Sequence, residues 1–150
     1  MSRSPAQIAR KLATLTPGEW ADLFRAQWAL LGAQLTVRSR PVGALATPVA
    51  TAGMADPTRL PEARRLALAV VRAARFGVFR PQCLVRSVAL SRMLERRGIG
   101  GSLVRVGIRR TDREFLAHAW VELAGQTLGD ADEHVGTFVP LTNLEVRRPS

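Results

Sequence analysis

The residues of this chain that could carry out covalent chemistry are one thiol, two imidazoles and a group of carboxylates late in the sequence. Cys83 is the single cysteine, so it can form neither an internal disulfide nor a multi-cysteine zinc site. A lone cysteine is more often a small buried apolar residue than a nucleophile. The role of Cys83 therefore depends on the element that carries it.

Pro81 places Cys83 at the beginning of a helix. Proline is tolerated only in the first turn of a helix, while Val88 and Leu90 continue the helical pattern and Gly98 ends it. A helix N-terminus is one of the few environments that lower the pKa of a thiol. Its free N–H groups can also hold the oxyanion of a tetrahedral intermediate. The sequence therefore favours Cys83 as a nucleophile.

Of the two histidines, His118 is the candidate general base. It lies in an apolar strand, where a buried imidazole needs hydrogen-bond partners, and a structural histidine bonded to the backbone is the alternative. Trp120 shares its face of the strand and would shield the ring from water. His134 follows Asp132 and Glu133 in a polar stretch that is typical of a solvated loop.

The third member of the site should be a carboxylate that fixes the tautomer and orientation of the imidazole. If residues 123–125 form a three-residue hairpin loop, counting outward places Asp130 directly opposite His118. A loop one residue longer or shorter would turn Asp130 to the other face. A register shift of two residues would bring in Asp132 instead, which is the reserve candidate.

Helices in the first part of the chain are expected to position the thiol. The stretch from Thr16 to Glu19 is typical of a capping box, and apolar residues then recur at helical spacing: Trp20, Leu23, Phe24, Trp28, Leu31 and Leu35. This face either packs on the core, the commoner case, or forms a docking surface. A further helix is expected from Pro61 to Phe76, ended by Gly77 in a left-handed cap.

Strands follow Gly98, where the apolar period changes to two. We expect strands at residues 103–108, 115–123, 127–129 and 137–141. Helices followed by antiparallel strands predict an α+β domain. We divide it into an N-terminal helical region with a linker at residues 1–57, the linker running from about Ser39 to Pro57, and a core at residues 58–150. Together they are expected to form one compact unit.

Composition limits the classes of partner. The charge of +10 comes almost entirely from arginine, since Lys11 is the only lysine. The arginines are scattered and tyrosine is absent, whereas nucleic-acid binders cluster basic residues with aromatic ones. The positive field favours anionic partners, such as an acidic peptide segment. We therefore predict no nucleic-acid partner.

Neither a membrane nor a metal is expected from the sequence. The most apolar windows are far shorter than the roughly 20 residues of a bilayer span, and residues 1–7 lack a signal-peptide layout. We therefore predict a soluble, cytoplasmic protein. An EF-hand that began at Asp130 would need glutamate at its twelfth position, where Leu141 stands. With no second ligand cluster in the sequence, we predict no metal and no cofactor.

These residues resemble the transglutaminase-like leader peptidases of lasso peptide biosynthesis. The resemblance runs from about Phe79 to Leu141 and rests on three elements: Cys83-Leu84-Val85-Arg86-Ser87, then Ala117-His118-Ala119-Trp120-Val121-Glu122, then Asp130. It implies a papain-like or transglutaminase-like core whose cysteine cleaves the leader from a ribosomally made precursor through a thioacyl-enzyme. Gln82 as a second oxyanion donor is left open, because papain-like enzymes carry such a glutamine farther upstream.

The resemblance also implies partners. A separate ATP-dependent cyclase closes the macrolactam, and some members carry a fused leader-recognition domain. This chain resembles the split form, so we expect a precursor peptide, a separate leader-recognition protein and, as a further candidate, the cyclase. Two alternatives remain: an acyl-transferring transglutaminase-like enzyme, and a non-catalytic basic adaptor that binds an anionic peptide.

Overall fold

Helices occupy the first part of the chain and strands the second, which confirms the α+β prediction. The computed structural model describes residues 5–39 and 53–141. The elements, in chain order, are α1 (Pro5–Ala13), α2 (Pro17–Ser39), a 3-10 turn (Pro57–Arg59), α3 (Leu60–Phe76), α4 (Cys83–Arg96), β1 (Ser102–Arg110), β2 (Phe115–Leu123), β3 (Gln126–Leu128), α5 (Asp132–Val135) and β4 (Val139–Pro140).

The capping box predicted before α2 is present. The backbone N–H of Thr16 donates to Glu19 Oε2 at 2.9 Å, and the backbone N–H of Glu19 donates to the Thr16 hydroxyl at 3.3 Å. The bond from the Thr16 backbone is the main cause that holds the pKa of Glu19 below its usual value. Since the carboxylate is the bonded form, this cap is lost as pH falls through the lowered pKa.

Helix α2 packs on α3 and α4 through small residues. Its buried apolar positions are Ala26, Ala29, Leu30 and Ala33, while four large apolar residues point outward: Trp20, Phe24, Trp28 and Leu35. The commoner reading of this face, packing on the core, is therefore wrong for these four residues. The short alanine side chains let the helix backbones approach closely, and this leaves the aromatic rings on the opposite side.

A buried carboxylate joins the three long helices. Asp22 in α2 is only 2% exposed. It contacts the guanidinium groups of Arg97 at 2.8 Å, Arg65 at 3.1 Å and Arg25 at 3.3 Å. A buried charge is tolerated when it is paired and hydrogen-bonded, so this ion cluster joins α2 to α3 and to the C-terminal end of α4.

Replacing Asp22 by asparagine is expected to lower the free energy of unfolding by about 2 kcal/mol, because Arg97 then keeps one carboxylate partner among the described residues. That partner is Glu62, at 3.4 Å. Urea unfolding measures the change. Asp112→Asn, in the exposed turn between β1 and β2, is the matched control and should shift the value by less than about 0.5 kcal/mol. If both variants changed the free energy of unfolding by the same small amount, the structural role of the ion cluster would be contradicted.

The strands form one antiparallel sheet in the order β3-β2-β1-β4, with α4 packed against β1 and β2. The β2–β3 hairpin pairs Leu123 with Gln126, so its loop is only Ala124-Gly125. Both loop residues have positive φ, 49° and 75°, as the tightest hairpin turns require. The predicted three-residue loop is therefore wrong.

The other elements lie close to their predicted positions, but two details differ: residues 132–135 form the short helix α5 where a solvated loop was expected, and the predicted left-handed cap of α3 is absent. Gly77 ends α3 with φ −79° and ψ −170°, which is extended backbone and not the predicted left-handed cap. A side chain at this position would overlap the carbonyl oxygen of Ala73 and the side chain of Gln27. Glycine is required here for close packing.

The described residues include only part of the predicted linker. The expected linker from Ser39 to Pro57 lies largely outside the described residues, and the division into 1–57 and 58–150 stays a prediction. Residues on α2, α3 and α4 share one apolar core with β1, β2 and β3. Within residues 5–39 and 53–141, no helix combines the length and apolar character that crossing a membrane requires.

Candidate active site

Cys83 is the first residue of α4, as Pro81 predicts. The preceding residue, Gln82, is extended, with φ −69° and ψ 163°, and its side chain makes no capping bond to the helix. The thiol is partly exposed. The N–H groups of a helix's first turn have no partner within the helix. Cys83 therefore lies at the end of α4 whose N–H groups are not used by the helix itself.

Cys83 and Asp130 line the same pocket, which lies between α3, α4 and the sheet. Cys83 and Arg86 line it from α4, Trp120 lines it from β2, and Gly129 and Asp130 line it from the segment after β3. These residues are distant in sequence and meet only because α4 packs across β2. The pocket thus joins two of the three predicted site residues.

His118 and Asp130 are in direct contact. The Nε2 atom of His118 lies 2.8 Å from Oδ2 of Asp130, and the imidazole is buried, with 9% of the residue exposed. Because Nε2 faces the carboxylate, Nδ1 is the ring nitrogen left to act on a second group. The approach of the Cys83 sulfur to this nitrogen stays a prediction.

Asp130 reaches His118 by a route that the sequence did not indicate. The two-residue hairpin loop gives the parity that should turn Asp130 away from His118. However, β3 ends at Leu128, and Gly129 takes a left-handed conformation with φ 77°. This conformation redirects the chain and brings the carboxylate back to the imidazole. Asp132, the reserve candidate, lies exposed at the start of α5.

Aromatic rings surround the imidazole. Trp120, 2% exposed, stacks on His118 with ring centroids 6.2 Å apart and planes 18° apart. Phe138 lies 5.2 Å away and His134 lies 4.9 Å away, edge-on. Trp120 is the residue that the sequence indicated. No spacing in the sequence indicated Phe138 or His134, because the turn of α5 carries both to the site.

The position of Trp120 is itself fixed by its neighbours. Its indole N–H donates to Glu122 Oε1 at 2.9 Å, and Arg105 donates to the other oxygen of Glu122 at 3.0 Å. A Cβ atom at Gly107 would lie 2.8 Å from the indole ring, so glycine at this position of β1 lets Trp120 lie flat on the sheet. These contacts hold the indole in place beside His118.

The arrangement is suited to acyl chemistry. A partly exposed thiol at a helix start can attack a carbonyl, and a buried imidazole held by a carboxylate can move the proton. The first-turn N–H groups of α4 are donors for the resulting oxyanion. The roles of Cys83, His118 and Asp130 in such a reaction are proposals.

Comparison with known proteins gives the family. The microcin J25-processing protein McjB of Escherichia coli is 43% identical to the chain over 55 residues, which are 37% of this chain and 25% of that protein. The alignment thus covers a quarter of the relative's length. No solved structure is detectably similar. The family model described as the transglutaminase-like superfamily matches residues 27–143, and the chain therefore belongs to that superfamily.

Proposed function

We propose that this chain is a cysteine peptidase that removes the leader from a ribosomally made lasso peptide precursor in the cytoplasm. The observation that carries the proposal is the 2.8 Å bond between His118 and Asp130, beside a pocket that Cys83 and Asp130 both line. Membership of the transglutaminase-like superfamily and the similarity to a microcin-processing protein support it. The motifs around Cys83 and His118 suggest a lasso peptide precursor as the substrate, and the relative's name, which describes microcin J25 processing, supports a processing role.

The proposed reaction begins with proton transfer from the Cys83 thiol to Nδ1 of His118. The sulfur attacks the scissile carbonyl, and the backbone N–H of Cys83 donates to the oxyanion. The C–N bond then breaks, and His118 returns the proton to the amine of the departing core peptide. The leader remains bound as a thioester until His118 activates a water molecule that releases it as a carboxylic acid.

The second candidate function is acyl transfer to an amine, which the superfamily's name favours. The thioester is common to both reactions, and they differ only in the nucleophile that reaches it. The test is mass spectrometry after incubation with lasso precursors and a leader-recognition protein. We expect a leader with a free carboxylate and an intact core peptide. A leader joined to an amine would establish transfer instead, and no reaction of any precursor would reject both functions.

Asp130 and Asp132 provide a matched pair of variants. Asp130→Ala is expected to lower kcat/KM for precursor cleavage about 10²-fold, because the imidazole loses its orientation. Asp132→Ala removes an exposed carboxylate two residues away and should change the rate by less than about threefold. Initial cleavage rates for both variants, with thermal unfolding as the folding check, decide between them. A larger loss for Asp132 would transfer the orienting role to that residue.

The outward aromatic face of α2 is the proposed docking surface for the leader-recognition protein, with the cyclase as the second candidate. Phe24 and Trp28 are 63% and 72% exposed. A pocket of about 150 Å³ beside Trp28 is lined in part by Arg25, Arg96 and Arg97. An apolar patch rimmed by cations fits a partner segment that carries apolar and acidic residues.

The double substitution Phe24→Ser with Trp28→Ser is expected to weaken binding of the recognition protein at least about tenfold, because exposed aromatic residues are frequent interface anchors. Titration calorimetry measures it. Deletion of α2 is a poorer test, since Ala26 and Leu30 belong to the core. Phe115→Ser, an exposed aromatic on β2, is the control. Unchanged binding by the double variant would reject this surface.

A further inference from the structure

Three potential metal ligands come together from a strand and from a segment that the sequence predicted to be a loop. His118, Asp130 and His134 each offer one ligand atom, and these atoms lie within 4.8 Å of one another. The second imidazole comes from the short helix α5, whose exposed His134 meets the ring of His118 edge-on. We predicted no metal from the sequence because it shows no second cluster of potential metal ligands. The fold adds His134 to the pair formed by His118 and Asp130, because α5 brings its ring against that of His118.

We propose that His118, Asp130 and His134 form a binding site for Zn²⁺, and that zinc bound there inhibits the peptidase. Two imidazoles and one carboxylate are a donor set that zinc favours, with a fourth position left for water. Tetrahedral zinc holds its ligand atoms about 3.4 Å apart, so the His118–Asp130 contact at 2.8 Å has to open and more distant ligand atoms, up to 4.8 Å apart, have to move closer. His134 is exposed on a short helix, and its side chain has room to adjust.

Zinc binding and catalysis exclude each other at this site. The metal takes the lone pair of a His118 nitrogen and an oxygen of Asp130, which are the groups that the proposed reaction uses to move a proton. Inhibition therefore rests on the proposed function, whereas binding does not. Absence of zinc binding and absence of precursor cleavage are measured separately, so failure of the zinc site can be distinguished from failure of the proposed function.

The binding test uses tag-free protein and Zn²⁺ in titration calorimetry, with Co²⁺ absorption as the second readout. His134→Ala should weaken zinc binding at least about tenfold and abolish the visible spectrum of tetrahedral cobalt. Glu133→Gln, on the same helix, should bind as the wild type does, and so should Cys83→Ala. Unchanged affinity in His134→Ala, or loss of binding in Cys83→Ala, would overturn the site.

The inhibition test measures precursor cleavage with and without added zinc. Wild-type cleavage should stop at zinc concentrations above the measured Kd and return on addition of EDTA. With each protein compared with its own rate in EDTA, His134→Ala should need at least about tenfold more zinc for the same fractional inhibition. Equal zinc sensitivity of the two proteins would contradict inhibition through this cluster.

Discussion

Replacing Cys83 by alanine is expected to abolish precursor cleavage, with a loss of about 10⁴-fold or more. Without sulfur no thioester can form, and the remaining groups can only polarise the substrate. The side chain is partly exposed at the first residue of α4, so its loss should leave the helix and the stability unchanged. Product formation followed by mass spectrometry measures the effect, and circular dichroism checks the fold.

Cys83→Ser extends this test, because it keeps the size of the side chain and replaces only the nucleophilic atom. It should be nearly as inactive as the alanine variant, since a hydroxyl is far less acidic than a thiol. Both variants should still bind the precursor. Normal processing by either of them would reject the mechanism. Tight peptide binding with no cleavage even by the wild type would favour the basic adaptor.

Replacing His118 by alanine is expected to lower kcat/KM about 10³-fold, because the thiol loses its general base and the leaving amine loses its acid. The chain offers one matched control, since His134 is its only other histidine. His134→Ala should stay within about threefold of the wild type when EDTA is present. Initial rates at pH 7 for the three proteins give the comparison.

A buried imidazole also supports the fold, so the His118 variant needs its own check. His118 is bonded to Asp130 and packed between Trp120 and Phe138, and its removal leaves a small cavity. His118→Gln keeps much of this volume and a polar end but supplies no base, and it should be as inactive as His118→Ala. Cleavage by His118→Gln at a rate near that of the wild type would contradict the role of His118 as general base.

Local rules predicted the start of the thiol-bearing helix. Pro81 restricts where α4 can begin, and Gly98, with φ 69°, ends it as expected. Both effects act within one turn of the backbone and need no tertiary information. The alternation of residue types in β1 and β2 was equally visible, although β2 is buried on both faces: Val121 packs in the main core, and Trp120 packs with Phe138 in a second cluster. The α+β order followed from these elements.

The contact between His118 and Asp130 was predicted for a reason that proved incorrect. The sequence reading used a three-residue loop, whereas Ala124 and Gly125 form a two-residue loop. The resulting change of parity is cancelled by the left-handed Gly129. A glycine's conformation is not encoded in its own identity, since glycine adopts positive and negative φ with similar ease.

Tertiary packing decided the features that the sequence did not reveal. The aromatic residues of α2 point outward because the side of the helix that is buried carries mainly alanines. The apolar spacing alone could not distinguish a wide aromatic face from a narrow alanine face. His134 and Phe138 reach His118 through the turn of α5, and no periodicity in β2 refers to that turn.

The most direct test of the central claim is the rate at which iodoacetamide alkylates Cys83 at pH 7, in the presence of EDTA. Since the chain has one cysteine, the intact mass reports this thiol alone. We predict that the wild type reacts at least about tenfold faster than His118→Ala, because the imidazole accepts the thiol proton. Equal rates in the two proteins, or a wild-type thiol that does not react, would contradict the pairing of Cys83 with His118.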